Sequence, residues 1–332
     1  MGFGEAMRRR KFIKLIGGVA AAWPLVARAQ QPTMPVIGFL NSSSPEGYAP
    51  RVADFREGLK EAGYVDGRNV TVEFRWAEGR YERLPEMATD LVRRQVSVIV
   101  ANTPANVVAK AATSTIPIVF TTSSDPVKLG LVSSLNRPGG NVTGVTQLDV
   151  ELGPKRLELA HEIMPVATRV ALLVNSAYPS TDTIVKDMQA AALSRGLQLH
   201  ILRASTETEI EAAFAGFAEL KAGVLIMGTD PFFSGQIGRL AILALRYAVP
   251  MIYQTREFTA AGGLVSYGGS IKDSYRLAGV YAGRILKGDK PADLPVQQST
   301  SVELIVNLKT AKALGVSIPL SLLGRADELI EQ

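Results

Sequence analysis

Side chains able to do covalent or metal chemistry are scarce in this chain of 332 residues. It has no cysteine, which excludes disulfides, thiol nucleophiles and Cys-ligated metals. His161 and His200 are its only imidazoles. His161 falls in a helical stretch, Lys155 to Met164, and His200 in an apolar strand, Leu197 to Leu202. Neither has a serine, aspartate or second histidine at ligand-like spacing, so both read as structural or surface groups. No G-x-G-x-x-G follows the first strand, and neither G-x-x-x-x-G-K-[ST] nor G-x-S-x-G occurs. What remains are hydroxyls, amides and carboxylates at the ends of apolar runs. Groups of that kind hold a molecule by hydrogen bonds and charge, so the chemistry they suit is binding.

The elements that position those groups are legible in the rhythm of the chain. From Pro35 onward, short apolar runs alternate with helical patterns, the mark of repeated βα units and a parallel sheet. Val36 to Leu40, Val70 to Trp76, Val96 to Ala101 and Ile116 to Phe120 read as strands. Arg51 to Ala62 reads as a helix, with Val52, Phe55, Leu59 and Ala62 at helical spacing and Gly63 as its stop. The turn Arg137-Pro138-Gly139-Gly140-Asn141 breaks the rhythm, and Val142 to Gln147 reads as a crossing strand that carries Asn141 and Thr143 at the crossover. A second series of similar size follows, and a long helix runs from about Ile271 to Leu286. The expectation is an α/β protein of two doubly wound parallel-sheet lobes. One comprises residues 35–143 plus about 271–296, the other 144–270 plus about 297–332. In open sheets of this kind ligands bind beyond the carboxyl ends of the strands, which here would line one cleft that shuts by a hinge.

The first 29 residues read as an address. Arg9-Arg10-Lys11-Phe12-Ile13-Lys14 precedes an apolar stretch, Leu15 to Ala27, and the small-x-small site Ala27-Arg28-Ala29. This is the pattern of a twin-arginine export signal, cleaved near Ala29, which would place the mature protein in the periplasm. The apolar stretch of 13 residues, interrupted by Pro24, falls short of the roughly 20 that span a bilayer; an uncleaved anchor is the other reading, and Met7 is an alternative start. The segment holds six of the 36 Lys and Arg and one of the 31 Asp and Glu. The remaining chain carries 30 of each sign, so the formal charge of +5 belongs to the signal and no nucleic-acid partner is expected.

Several longer runs carry a family likeness: Gly58-Leu59-Lys60-Glu61-Ala62-Gly63-Tyr64-Val65-Asp66-Gly67-Arg68-Asn69-Val70, Arg75 to Arg80, Asn136 to Val145, Asn307 to Pro319, and Arg325 to Glu331. Together they resemble the substrate-binding proteins of ABC transporters of the tryptophan/tyrosine type. The resemblance spans essentially all of 35–332. It implies a periplasmic-binding-protein type I fold with hinge strands, and no enzymatic activity, cofactor or metal. It implies a monomer that delivers a small solute, an amino acid (aromatic ones included) or a related carboxylate, to a cognate ABC permease and ATPase in the inner membrane. The alternatives are an exported doubly wound enzyme and a ligand-sensing domain for a signalling partner.

On the first lobe the candidate ligand contacts are Ser42, Ser43, Thr103, Pro104, Ala105 and Asp125. Asn102-Thr103-Pro104-Ala105 also matches the family's turn at this place, and helix capping is the competing role of the serines. On the second they are Asn175, Asp230, Tyr253, Glu257 and Tyr267. Asp230 and Glu257 would meet an ammonium or hydroxyls, and the tyrosines would stack on a planar solute. An N-cap is the competing role of Asp230, and a surface pair with Arg256 that of Glu257.

Overall fold

Apolar runs buried on both faces dictate a parallel sheet, and the chain forms two of them. The computed structural model describes residues 34–299 and 301–331; the twin-arginine segment lies outside them. From Val36 on, the chain forms one compact unit. Its elements in order begin with β1 (Val36–Asn41), α1 (Pro45–Glu61), β2 (Thr71–Trp76), α2 (Leu84–Arg93), β3 (Val98–Asn102), α3 (Ala105–Ala112), β4 (Ile118–Thr122) and β5 (Val142–Thr146). The second series comprises α4 (Gly153–Ile163), β6 (Arg169–Val174), α5 (Thr181–Ser194), β7 (Gln198–Arg203), α6 (Glu207–Gly216), β8 (Val224–Met227), α7 (Pro231–Gly235), α8 (Ile237–Arg246), β9 (Met251–Tyr253), α9 (Arg256–Ala260) and β10 (Val265–Gly269). The chain ends with α10 (Ile271–Leu286), β11 (Gln297–Gln298), β12 (Val302–Asn307), α11 (Leu308–Ala313), α12 (Leu320–Leu323) and β13 (Glu328–Ile330).

The first sheet has the order β11-β5-β4-β3-β1-β2, and the second β13-β12-β10-β9-β8-β6-β7. Each contains the same doubly wound pattern, in which the strand order reverses between the first and third strands of the series. That reversal lies between β1 and β3 in one sheet and between β6 and β8 in the other. All pairings are parallel except β10 with β12, where Tyr267 faces Leu304.

Alternation along each strand fills a core on either side of its sheet. In β3, Val98 and Val100 join Ile37, Phe39 and Phe55 on one face, while Ile99 and Ala101 join Leu91, Ile118 and Phe120 on the other. Helix α10 leaves the end of β10 and packs on the first sheet, with Ala278, Tyr281 and Ala282 in the same core as Phe55 and Leu59. Its closeness to α1 requires glycine: a Cβ on Gly279 would lie 2.1 Å from the Phe55 carbonyl oxygen.

The chain passes between the sheets three times: from β5 to α4 through Gln147–Leu152, from β10 to α10 at Ser270, and from β11 to β12. Strand β5 itself lies wholly within the first sheet, buried throughout and paired with β4. The crossing therefore begins at Gln147, beyond the strand expected to make it. Asn141 Nδ2 donates to the Ile116 carbonyl at 2.7 Å, and Thr143 Oγ1 donates to the Leu294 carbonyl at 2.6 Å. Both are sheet-fastening bonds rather than crossover contacts. No helix among the described residues is long and apolar enough to cross a membrane.

Candidate ligand-binding cleft

Where the strand order reverses, the connections leaving neighbouring strands diverge to opposite faces and leave a crevice. The crevices of the two sheets meet in one cavity. Asn102, Thr103, Thr121 and Thr122 line it from the ends of β3 and β4, and Thr229, Asp230 and Gln254 from beyond β8 and β9. Tyr48 and Arg51 enter from α1, Ile271 and Tyr275 from α10, Tyr178 from the loop before α5, and Gln147 from the crossing segment. The space measures about 390 Å³ including its open mouth.

A hydrogen-bonded network fixes the first-sheet wall. Asn102 Oδ1 accepts from the Ser42 amide at 2.9 Å, and its Nδ2 donates to Ser42 Oγ at 2.9 Å and to the Tyr48 hydroxyl at 3.2 Å. Thr103 Oγ1 donates to Thr122 Oγ1 and accepts from Asn106 Nδ2, both at 2.9 Å. On the second-sheet wall, Asp230 caps α7 by accepting the Phe233 amide at 3.2 Å, and its other oxygen accepts Asn175 Nδ2 at 3.3 Å. Burial pushes the Asp230 carboxyl up to about 6, against the pull of the Phe233 amide and the Asn175 donor. Burial likewise raises the phenols of Tyr48, Tyr178 and Tyr275, which stay neutral.

Two polar atoms of the cavity lining, one on each wall, are left without a partner, one donor and one acceptor. Arg51 is 3% exposed, and its guanidinium stands 4.4 Å from the centre of the Tyr48 ring. Its Nη1 has no hydrogen-bond acceptor, and no described carboxylate forms an ion pair with it. Gln254 Oε1, equally buried, accepts nothing. A buried cation without a counter-ion is costly, and the pair suits a solute that brings a carboxylate to one side and a donor to the other.

Direct bonds also join the walls. Tyr81, just before α2, donates to Asp230 Oδ2 at 3.2 Å. Ser43 Oγ donates to the Pro231 carbonyl at 3.3 Å. Ser124 Oγ lies 3.3 Å from the Tyr178 hydroxyl and 2.9 Å from Ser180 Oγ.

Of the sequence-predicted contacts, Thr103 and Asp230 come together on the cavity wall. Ser42 stands behind it, its hydroxyl donated to the Thr103 carbonyl. Ser43 bridges the walls at the mouth. Pro104 and Ala105 open α3 away from the cavity, with the Pro104 carbonyl accepting the Val107 amide. Asp125 caps its own turn by accepting the Val127 amide at 2.8 Å. Asn175 orients Asp230. Tyr253 is fully buried behind α7, its hydroxyl donating to the Asp230 carbonyl and bonded to Ser234 Oγ. Glu257 lines a neighbouring space of about 350 Å³ that shares Gln254 and Ile271 with the main cavity. Arg256 does not pair with Glu257; it reaches Glu328 at 2.6 Å. Tyr267 packs on the second sheet's core. His161 and His200 stand apart from the cavity.

Arg51, Tyr48, Tyr275 and Gln254 escaped the sequence reading. For the first two a signal was present. Tyr48, Arg51, Val52, Phe55 and Leu59 fall on one helical stripe, so Arg51 is a charge on the apolar face of its helix. Gln254 gave none.

The comparisons with known proteins agree with this architecture. Residues 36–330 match the family model described as ABC transporter substrate binding protein. A curated relative named tyrosine-binding protein, from Clostridioides difficile (strain R20291), is 29% identical over 262 residues, 78% of this chain and 75% of that protein. A conserved domain protein from Vibrio cholerae is similar in structure with a TM-score of 0.81, at 26% identity, over 89% of this chain and 99% of that one. An ABC domain from Streptococcus pneumonia in complex with L-Trp gives a TM-score of 0.79, again at 26% identity and over 89% and 99% of the two chains. The chain belongs to the ABC transporter substrate-binding proteins.

Proposed function

We propose that this protein is the periplasmic solute receptor of an ABC importer and that it encloses one amino acid, aromatic ones foremost, by closing two lobes on it. The buried, unpaired guanidinium of Arg51 carries this reading, since it offers a planar donor fork for a carboxylate in a site closed to water. Gln254 Oε1 and Asp230 would take the ammonium, and Tyr48, Tyr178 and Tyr275 would flank the side chain. The names of the relatives, one a tyrosine-binding protein and one a domain solved with L-Trp, support an aromatic solute. One lobe surrounds each sheet, and the three crossing segments act as the hinge. The N-terminal segment would direct export, and the cognate permease and ATPase would receive the solute. The role requires no cofactor and no catalysis.

A thermal-shift and calorimetric panel of L-tyrosine, L-tryptophan, other amino acids and nucleosides tests this. A true solute at 100 times its Kd should add about 2.7 kcal/mol of stability. Silence across all amino acids, or conversion of any one of them, would refute the reading.

A further inference from the structure

Arg156 heads the fully buried side chains by volume, yet it points at no carboxylate within hydrogen-bonding reach. Extending from α4, it donates to the Asp149 carbonyl at 2.5 Å, to the Tyr267 carbonyl at 3.0 Å and to Thr229 Oγ1 at 3.2 Å. Asp149, 0% exposed, accepts the Gly269 amide on Oδ1 at 2.8 Å, while Oδ2 has no partner. Two side chains thus fasten the crossing segment after β5 to the end of β10, where the next crossing starts. Through Thr229 they also reach the cavity wall.

We propose that Asp149 and Arg156 are the positioning pair of the hinge: they set the closed geometry, and protonation of the Asp149 carboxyl makes the cleft shut more readily. This rests on the reading of the cleft as one that closes on a solute. Burial pushes the Asp149 carboxyl up to about 7, against the attraction of Arg156 and the Gly269 amide. Arg156 from α4 and Glu151 from the same segment are the charged groups that face it, and Tyr253 and Tyr267 face the guanidinium. An opened, hydrated carboxyl would release its proton near the ordinary value of 3.8. The closed form therefore binds more protons between pH 3.8 and about 7, so closure weakens as pH rises through that window and is independent of pH above it.

The absence of native cysteine allows clean labelling. Glu86→Cys and Thr208→Cys carry spin labels on exposed helix starts of the two series, and the distance between them is measured with no solute added. From pH 5.5 to 7 the closed-to-open ratio of the wild-type background should fall by more than about tenfold, and it should level off between pH 7 and 8.5. Asp149→Asn, neutral at every pH, should stay closed throughout. Arg156→Lys keeps the charge but loses the three-way tie, and should broaden the closed distance. A wild-type distribution insensitive to pH, or an Asp149→Asn variant that follows the wild type, overturns the proposal. Should Asp149→Asn fail to fold, the wild-type pH scan and Arg156→Lys decide. L-tyrosine titrations at pH 5.5 and 8.5 report separately on the solute reading: loss of binding there, with pH-dependent closure intact, would sink that reading alone.

Discussion

A guanidinium held at 3% exposure with no counter-ion is a liability to the empty protein and an asset to the occupied one. Arg51→Met separates the two. The thioether keeps much of the apolar bulk that lies on Tyr48 and removes the uncompensated charge. Melts of the empty variant should therefore match or exceed the wild type. The affinity for a carboxylate solute such as L-tyrosine should fall by about 2–5 kcal/mol, the usual loss on deleting one side of a buried charged pair. Arg51→Lys should not restore it, because a point charge cannot replace the planar fork. Calorimetry of the three proteins with L-tyrosine and with tyramine, which lacks the carboxylate, checks the assignment. Equal losses for both ligands would mean that Arg51 meets something other than the carboxylate.

Among the elements, α1 and α7 approach each other at the mouth of the cleft with no side chain between them. A Cβ on Gly47 would lie 2.6 Å from the Gly235 carbonyl oxygen and 2.8 Å from its Cα, backbone atoms that cannot swing aside. Within α1, alanine is otherwise the better helix former by up to ~1 kcal/mol. Gly47→Ala should thus raise or preserve the urea stability of the empty protein while weakening L-tyrosine binding at least tenfold. Unchanged affinity would show that the mouth does not close on these residues. Neither glycine announced this in the sequence, since each sits in an ordinary helical pattern and the contact is made 188 positions away. The strands were legible for the opposite reason: β3 and β8 are apolar runs buried on both faces, a pattern that needs no knowledge of partners. Helix α1 begins at Pro45 rather than Arg51, because its first six residues carry glycine, tyrosine and two prolines, and only Tyr48 among them announces the apolar stripe. Candidate site residues were named at strand ends, and Thr103 and Asp230 reached the cavity that way. Arg51 and Tyr275 enter from helix faces, whose direction depends on packing between segments far apart in the chain.

At the scale of the whole molecule, the described hydrophobic cores do not cross the cleft. Two clusters flank the second sheet and two the first, and none holds residues of both. Apart from the Gly47–Gly235 approach, what joins the walls is polar: the Ser43–Pro231, Tyr81–Asp230 and Ser124–Tyr178 contacts, together with the hinge pair. At about 0.5–1.5 kcal/mol each, such bonds fall far short of the cores they connect. The empty protein should therefore melt as two units, with a van't Hoff enthalpy near half the calorimetric one. A solute bonded to both walls stabilises them jointly. With L-tyrosine at 100 times its Kd, the added ~2.7 kcal/mol should draw the two transitions toward one and bring the enthalpies together. Differential scanning calorimetry with and without the solute reads this directly. A single two-state transition in the empty protein would mean that the walls are coupled by more than these few bonds, and that closure is not the step the solute controls.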